Sequence, residues 1–168
     1  MRSGIGGTSS ASGVWRAASR AGSGQRGGPL ARCGVTLGDA AGVGPEVLLP
    51  ALMHTGLAER HEVRLFVAAE LSAWLEDACG RFGLPLAGHG PGAGLRLNPV
   101  ADATAQVRPT PGRPSAASRE QAFRALSAMA DAAASGELDV MITGPVPKSI
   151  FDHVSPRPPG QTEFLAAR

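Results

Sequence analysis

The chain has 168 residues and a mass of 17.0 kDa, the size of one domain. Hydrophobic residues make up 43%, charged residues 18%, and mean hydropathy is near zero, a globular balance that excludes wholesale disorder. No apolar run nears the ~18 residues of a membrane-spanning helix, and two cysteines, Cys33 and Cys79, with no Cys/His cluster at zinc spacing, exclude a disulfide framework and a zinc finger.

Residues 1–32 hold 8 Gly, 6 Ser, 5 Arg and 5 Ala, and no acid. Such a segment buries too little apolar area to offset its chain entropy and is expected to be a disordered tail. The same composition fits an organellar transit peptide, an unstructured extension, or a start codon set too far upstream. Removing these five arginines leaves 11 basic and 14 acidic side chains in residues 33–168. The body is therefore mildly acidic, with no basic face for nucleic acid. Of the 16 basic residues only Lys148 is a lysine.

From residue 33 the pattern is that of an α/β domain. Val35, Thr36 and Leu37 read as the end of a strand, and Gly38 to Gly44 as a turn-rich loop. Pro45 stands where a helix favours proline, ahead of the apolar Val47, Leu48, Ala51 and Leu52. Pro50 is expected to kink or divide that helix. Val63, Leu65 and Val67 alternate as a strand, and Leu71, Trp74, Leu75, Ala78, Cys79 and Phe82 form one helical stripe ending at Gly83. Residues 87–114 are rich in Gly and Pro, with short strand candidates at Leu95–Leu97 and Thr104–Val107. Ser118 and Gln121 have capping-box spacing before a helix that carries Phe123, Leu126, Ala130 and Ala133 inward, up to Gly136. Leu138 to Thr143 is a continuous apolar strand, the kind that lies mid-sheet. A last helix is expected to open on a threonine cap at Thr162, and the chain reads as cut inside an α/β unit.

Ligands of open α/β sheets gather at the carboxyl ends of the strands, and two loops qualify. The first runs from Gly38 to Glu46 and includes Asp39, Gly42 and Gly44; its glycines allow close backbone approach, and a helix start offers free N–H groups. It matches neither the dinucleotide fingerprint nor the Walker pattern. The second, Thr143-Gly144-Pro145-Val146-Pro147-Lys148, has two prolines that fix the direction of the lone lysine. A lysine there pairs with a carboxylate or phosphate, polarises a reacting hydroxyl, or is simply solvated. His54, His61, His89 and His153 show no metal spacing, and Cys79 lies on the apolar stripe as a core residue.

The segments Val35-Thr-Leu-Gly-Asp-Ala-Ala-Gly-Val-Gly-Pro-Glu46, Ile142-Thr-Gly-Pro-Val-Pro-Lys148 and Pro159-Gly-Gln-Thr-Glu-Phe-Leu165 together resemble three motifs of the 4-hydroxythreonine-4-phosphate dehydrogenases, in order and spacing. The resemblance covers residues 35–168, about the first half of a family member. It implies a three-layer α/β/α sandwich of the isocitrate and isopropylmalate dehydrogenase type, here truncated. It also implies NAD-dependent oxidation and decarboxylation of 4-phosphohydroxy-L-threonine in pyridoxal 5'-phosphate biosynthesis, assisted by a divalent metal (Zn, Mg or Co), in a cytoplasmic homodimer with no membrane or nucleic-acid partner. By position, the family's substrate-binding His-Thr pair falls on Gln161 and Thr162, so a neutral amide replaces an imidazole. Lys148 takes a catalytic role, and Asp39, Gly42, Gly44, Glu46, Thr143 and Gly144 form the active-site loops. The family's metal-binding histidines belong to its C-terminal half, and no histidine of this chain matches them. The chain is thus expected to be an inactive fragment of such an enzyme. Two alternatives stand beside this: a paralogue acting on a four-carbon sugar-acid phosphate, or a non-catalytic remnant that binds an anion or a partner.

Overall fold

The computed structural model describes residues 30–86, 94–100 and 108–168. The tail to residue 29, His89 and the strand candidate Thr104–Val107 lie outside the described residues. Four parallel strands form one sheet: β1 (Arg32–Thr36), β2 (Glu62–Ala68), β3 (Gly94–Val100) and β4 (Val140–Thr143), in the order β3-β2-β1-β4. The chain steps from β1 to β2 to β3 in one direction and then crosses back to place β4 on the other side of β1. Helices α1 (Gly44–Thr55), α2 (Leu57–Arg60) and α3 (Ser72–Arg81) make the first two connections, and α4 (Ala116–Ala134) makes the return. A short helix, α5 (Gln161–Ala166), follows β4, and 3₁₀ turns occupy Ala69–Leu71 and Lys148–Phe151.

Side chains alternate across the sheet and divide the core in two. Val35 of β1 and Val63, Leu65 and Val67 of β2 face a layer filled by Leu49 and Leu52 of α1 and Leu75, Ala78 and Cys79 of α3. Phe66 of β2 faces the opposite layer, with Leu126 and Met129 of α4, Ile150, Phe151 and Phe164. Reversing the crossover direction puts α4 on the opposite face from α1 and α3, as a consistent hand of connection requires. The result is the expected three-layer α/β/α sandwich. Gly34 of β1 permits α4 to lie close: a Cβ there would stand 2.5 Å from Leu138 Cδ1 and 2.9 Å from Met129 Cγ.

Several local expectations are corrected. Helix α1 runs unbroken through Pro50; the carbonyl that loses its donor belongs to Glu46, on the exposed side, and Pro50's own carbonyl accepts His54 Nδ1–H at 2.7 Å. Its buried residues are Gly44, Pro45, Leu49 and Leu52, whereas Val47 and Ala51 are exposed, because a helix apolar on all sides gives no polar face to orient it. The capping box of α4 uses Ser115 and Ser118: Ser115 Oγ accepts the Ser118 N–H at 3.0 Å and Ser118 Oγ accepts the Ser115 N–H at 2.9 Å. Gln121 instead faces inward, buried, along with Leu126, Met129 and Ala130. Ala122 and Ala125 complete that stripe, and Phe123 and Ala133 sit at its margin. Strand β4 has both faces packed, Ile142 on one layer and Met141 on the other, yet it pairs only with β1 among the described residues, and Val140 is exposed. Helix α5 is capped by Gly160 without a side-chain bond, and Thr162 is its second residue.

Ala31 and Arg32, which composition assigns to the tail, are tied to the body. The Ala31 N–H donates to His61 Nδ1 at 3.2 Å. Arg32 forks onto Asp139, with Nη2 to Oδ1 at 2.8 Å and Nε to Oδ2 at 3.1 Å, while its backbone N–H donates to Oδ2 at 2.8 Å. The Asp139 N–H returns a bond to the Arg32 carbonyl at 2.8 Å, so this pair clamps the starts of β1 and β4. The side-chain and backbone hydrogen bonds from Arg32 pull the Asp139 carboxyl down to about 2. A carboxylate lowered on folding contributes stability above its unfolded pKa, and this is lost as pH falls through the folded value. Unfolding midpoints measured from pH 5 down to pH 2 should fall, most steeply below pH 4, and Asp139→Asn should flatten that slope. Both side chains are well exposed, so added salt should shrink the difference. An unchanged slope in Asp139→Asn would show that the clamp carries no stability.

Candidate functional site

The return crossover makes the gap between β1 and β4 the topological switch point of the sheet, where the loops leaving the two strands part in opposite directions. Those loops are the two singled out in the sequence. The first, residues 37–43, links β1 to α1, and the second, residues 144–147, links β4 to the 3₁₀ turn at Lys148–Phe151.

They meet backbone to backbone. The Gly144 N–H donates to the Thr36 carbonyl at 2.7 Å, and the Asp39 N–H to the Pro145 carbonyl at 3.3 Å. A Cβ on Gly144 would lie 2.3 Å from the Leu37 carbonyl, one on Gly38 2.1 Å from the Pro145 oxygen, and one on Gly44 1.7 Å from the Leu37 oxygen. Gly38 also has φ of 74°, a left-handed conformation that other residues adopt only under strain. A third loop closes the junction: the Gly112 N–H, ahead of α4, donates to the Ala41 carbonyl at 2.8 Å. Sequence reasoning misses this loop, although its turn chemistry (Thr110-Pro-Gly-Arg-Pro114) is a visible signal.

Within the first loop Asp39 is buried, as are Ala40 and Ala41, while Gly42 is half-buried. Asp39 Oδ1 accepts the Ala41 N–H at 2.9 Å and its carbonyl accepts the Gly42 N–H at 2.9 Å, a compact turn set by the side chain. Gly44 is buried at the start of α1, and Glu46 is exposed in its first turn, where it favours the positive end of the helix dipole. In the second loop Thr143 is half-buried and Gly144 buried. Lys148 is exposed, and its ammonium makes no ion pair or hydrogen bond among the described residues; only its carbonyl is engaged, by Arg157 Nη2 at 3.4 Å. Gln161 is half-buried with its Nε2 enclosed and unpartnered, whereas Thr162 is exposed. The fold thus brings Asp39, Gly44, Thr143 and Gly144 to one junction.

A buried carboxylate that the sequence does not flag stands nearby. Glu70, just past β2, accepts Gln121 Nε2 at 3.1 Å and pairs with Arg124, both from α4. Burial pushes the Glu70 carboxyl up, and hydrogen bonds from its own backbone, Arg124 and Gln121 outweigh that and hold it below the usual range. Its partners lie 51 and 54 residues away, beyond any local pattern. Beside them, Leu37, Gly38, Phe66, Leu71, Trp74 and Gln121 line a hollow of about 20 Å³, room for one water molecule and not for a substrate. An open groove of about 370 Å³ runs past Arg119, Ser149, Asp152 and His153, next to Lys148. Burial raises the Cys79 thiol to about 11, in keeping with a core residue. Among the described residues no group of three His, Cys, Asp or Glu could hold a metal ion, and no helix is long and apolar enough to cross a membrane.

Comparison with known proteins points to one family. A family model described as the pyridoxal phosphate biosynthetic protein PdxA matches residues 70–168, a span that includes the second loop and Gln161-Thr162. A 4-hydroxythreonine-4-phosphate dehydrogenase of Methylorubrum extorquens is 33% identical over 147 residues, covering 83% of this chain and 40% of that protein. One from Thermosynechococcus vestitus is 34% identical over 141 residues, covering 79% and 37%. The crystal structure of a 4-hydroxythreonine-4-phosphate dehydrogenase from Burkholderia phymatum superposes with a TM-score of 0.63 at 25% identity, over 83% of this chain and 44% of that one. The enzyme from Klebsiella pneumoniae, at 24% identity and a TM-score of 0.57, shares the fold. The chain spans about two fifths of the length of the curated relatives it matches.

The junction has a direct stability test. Gly144→Ala and Gly38→Ala force a methyl group into backbone and should each destabilise the chain by about 1–3 kcal/mol in denaturant unfolding. Gly80→Ala, in α3 with nothing within 4 Å of the added carbon, should stabilise it by about 0.5–1 kcal/mol. Equal effects at the three positions would show that the loops are not locked.

Proposed function

The chain belongs to the PdxA family of pyridoxal phosphate biosynthetic proteins, and on that premise we propose that it serves the NAD-dependent oxidation and decarboxylation of 4-phosphohydroxy-L-threonine. The observation that carries this reading is the locking of two family motifs into one junction at the switch point, where ligands of this architecture bind. Asp39, Gly42, Gly44, Glu46, Thr143 and Gly144 supply the loops, Lys148 offers a cation beside them, and Gln161 and Thr162 contact substrate. The lone ammonium of Lys148, unpaired within the described fold, suits a substrate phosphate or carboxylate, or a hydroxyl that must be polarised. The enclosed, unpartnered Nε2 of Gln161 retains a hydrogen-bond donor for substrate, but a neutral amide does not serve as a general acid or base near neutral pH.

The divalent cation of the proposed reaction is not served by the residues described, which contain no ligand set for it. Its ligands, and the wall facing these loops, are supplied by polypeptide other than these residues. The homodimer and the cytoplasmic location belong to the same proposal and rest on family resemblance; a tail ahead of Ala31 rests on composition. Gln161 favours a second reading, a four-carbon sugar-acid phosphate as substrate, because a neutral amide replaces the family's imidazole.

The test is a chimera that joins this chain to the remainder of the Methylorubrum extorquens relative beyond the matched region. NADH should form with phosphohydroxythreonine and a divalent metal, and this chain alone should form none. Substituting Gln161→His in the chimera should raise turnover of the amino-acid substrate over the sugar-acid phosphate. A folded chimera that oxidises neither substrate would contradict the enzymatic reading, and robust NADH formation by the chain alone would contradict the need for a second wall.

A further inference from the structure

Five arginines are half-buried among the described residues: Arg32, Arg64, Arg96, Arg119 and Arg124. Four of them meet a carboxylate, Arg32 at Asp139, Arg64 and Arg96 at Glu62, and Arg124 at Glu70. Arg119 does not: its guanidinium has no ion pair or hydrogen bond among the described residues. Partial burial strips water from a cation, and a counter-ion normally offsets that loss. Arg119 bears the loss without the anion.

The residue lines open space. Arg119 stands on the groove of about 370 Å³ between the first turns of α4 and the 3₁₀ turn at Lys148–Phe151. Of the two acids on that groove, Asp152 pairs with Arg157 at 2.8 Å and Glu120 with Arg124 at 4.0 Å, so neither answers Arg119. The facing wall adds the Ser149 hydroxyl and the His153 ring nitrogens, which are likewise unbonded among the described residues. An edge-to-face contact holds His153 against Phe123, with centroids 4.3 Å apart, and Phe123 stands one helical turn from Arg119 on α4.

We propose that this groove binds a phosphate group, held by Arg119 from one wall and by Ser149 and His153 from the other. A guanidinium fork alone satisfies a planar carboxylate, whereas donors on two facing walls suit the several oxygens of a tetrahedral phosphate. Ala116, the first residue of α4, also lines the groove and adds the positive end of the helix dipole. The site is separate from the substrate contacts proposed above: none of these residues lies in the two strand-end loops or at Gln161-Thr162. A bound phosphate ties α4 to the turn that begins with Lys148, so the ligand is an effector that steadies that turn and not the group that reacts.

The experiment is calorimetric titration of the full chain with inorganic phosphate and with glycerol 3-phosphate, at an ionic strength fixed by sodium chloride. Wild type should bind at least one of the two with a dissociation constant below about 1 mM. Tighter binding of the free ion identifies inorganic phosphate as the ligand, and tighter binding of the ester identifies a phosphorylated metabolite; either supports the site. Arg119→Gln should weaken binding at least about tenfold, and Ser149→Ala and His153→Gln should each weaken it by a smaller factor. Should Arg119→Gln fail to fold, the other two variants decide. No binding of either probe by wild type up to about 10 mM, or unchanged binding in every folded variant, overturns the proposal. Binding lost in Lys148→Gln and kept in Arg119→Gln places the anion at the strand-end loops, which overturns this site and leaves the proposed function standing.

Discussion

The architecture depends on contact between backbones without side chains between them. At the carboxyl ends of β1 and β4 the chain must turn twice within the roughly 4.7–4.9 Å that separates neighbouring strands, and it must leave in two directions. Gly38, Gly44 and Gly144 make this possible, since a Cβ at each would overlap a carbonyl in the facing loop or preceding strand end. What holds the junction is hydrogen bonding from main chain to main chain. The geometry of the candidate site is therefore set by strand register, not by long side chains with rotamer freedom to lose, and rigid placement of this kind is what a binding site requires.

Around that junction the two halves of the core act as supports. The layer of α1 and α3 covers one face of the sheet, and α4, with Phe151 and Phe164, covers the other. Glu70 with Gln121 and Arg124 ties the end of β2 to α4 close to the same rim, a fully buried carboxylate whose charge is answered within the fold. The ends of the sheet are thus treated differently. At the amino ends Arg32 and Asp139 clamp β1 to β4 with exposed, exchangeable ions, while at the carboxyl ends the contacts are buried and largely main-chain.

How much of this the sequence discloses follows from the range of each interaction. Period-two alternation at Val63, Leu65 and Val67 and the stripe from Leu71 to Phe82 are legible because local spacing sets which side is buried. The strand-end loops are legible from glycine and proline alone, because at that density these residues favour turns over any regular element. Helix α1 defeats local reading because it is apolar all round, so its buried side is chosen by the sheet. Ser118 and Gln121 fit the usual capping pattern, but Ser115, following Pro114, starts the helix three residues earlier and turns Ser118 into the returning partner. The pairing of Glu70 with Arg124, and the bonds from Asp39 to Pro145 and from Gly112 to Ala41, join residues distant in sequence, and no local pattern encodes them. Three short motifs make the family legible, whereas the roles proposed for Lys148 and Gln161 depend on a ligand that no local pattern specifies.

The central claim is that the loops leaving β1 and β4 form one locked unit. Amide hydrogen exchange at Gly144, Asp39 and Gly112 measures this most directly, because each donates one of the three hydrogen bonds that join the loops. The account requires these three amides to be protected to the same degree as those in the middle of β1 and β2, exchanging only when the whole domain opens. Exchange at the rate of exposed loop amides, while the strand amides stay protected, would contradict it.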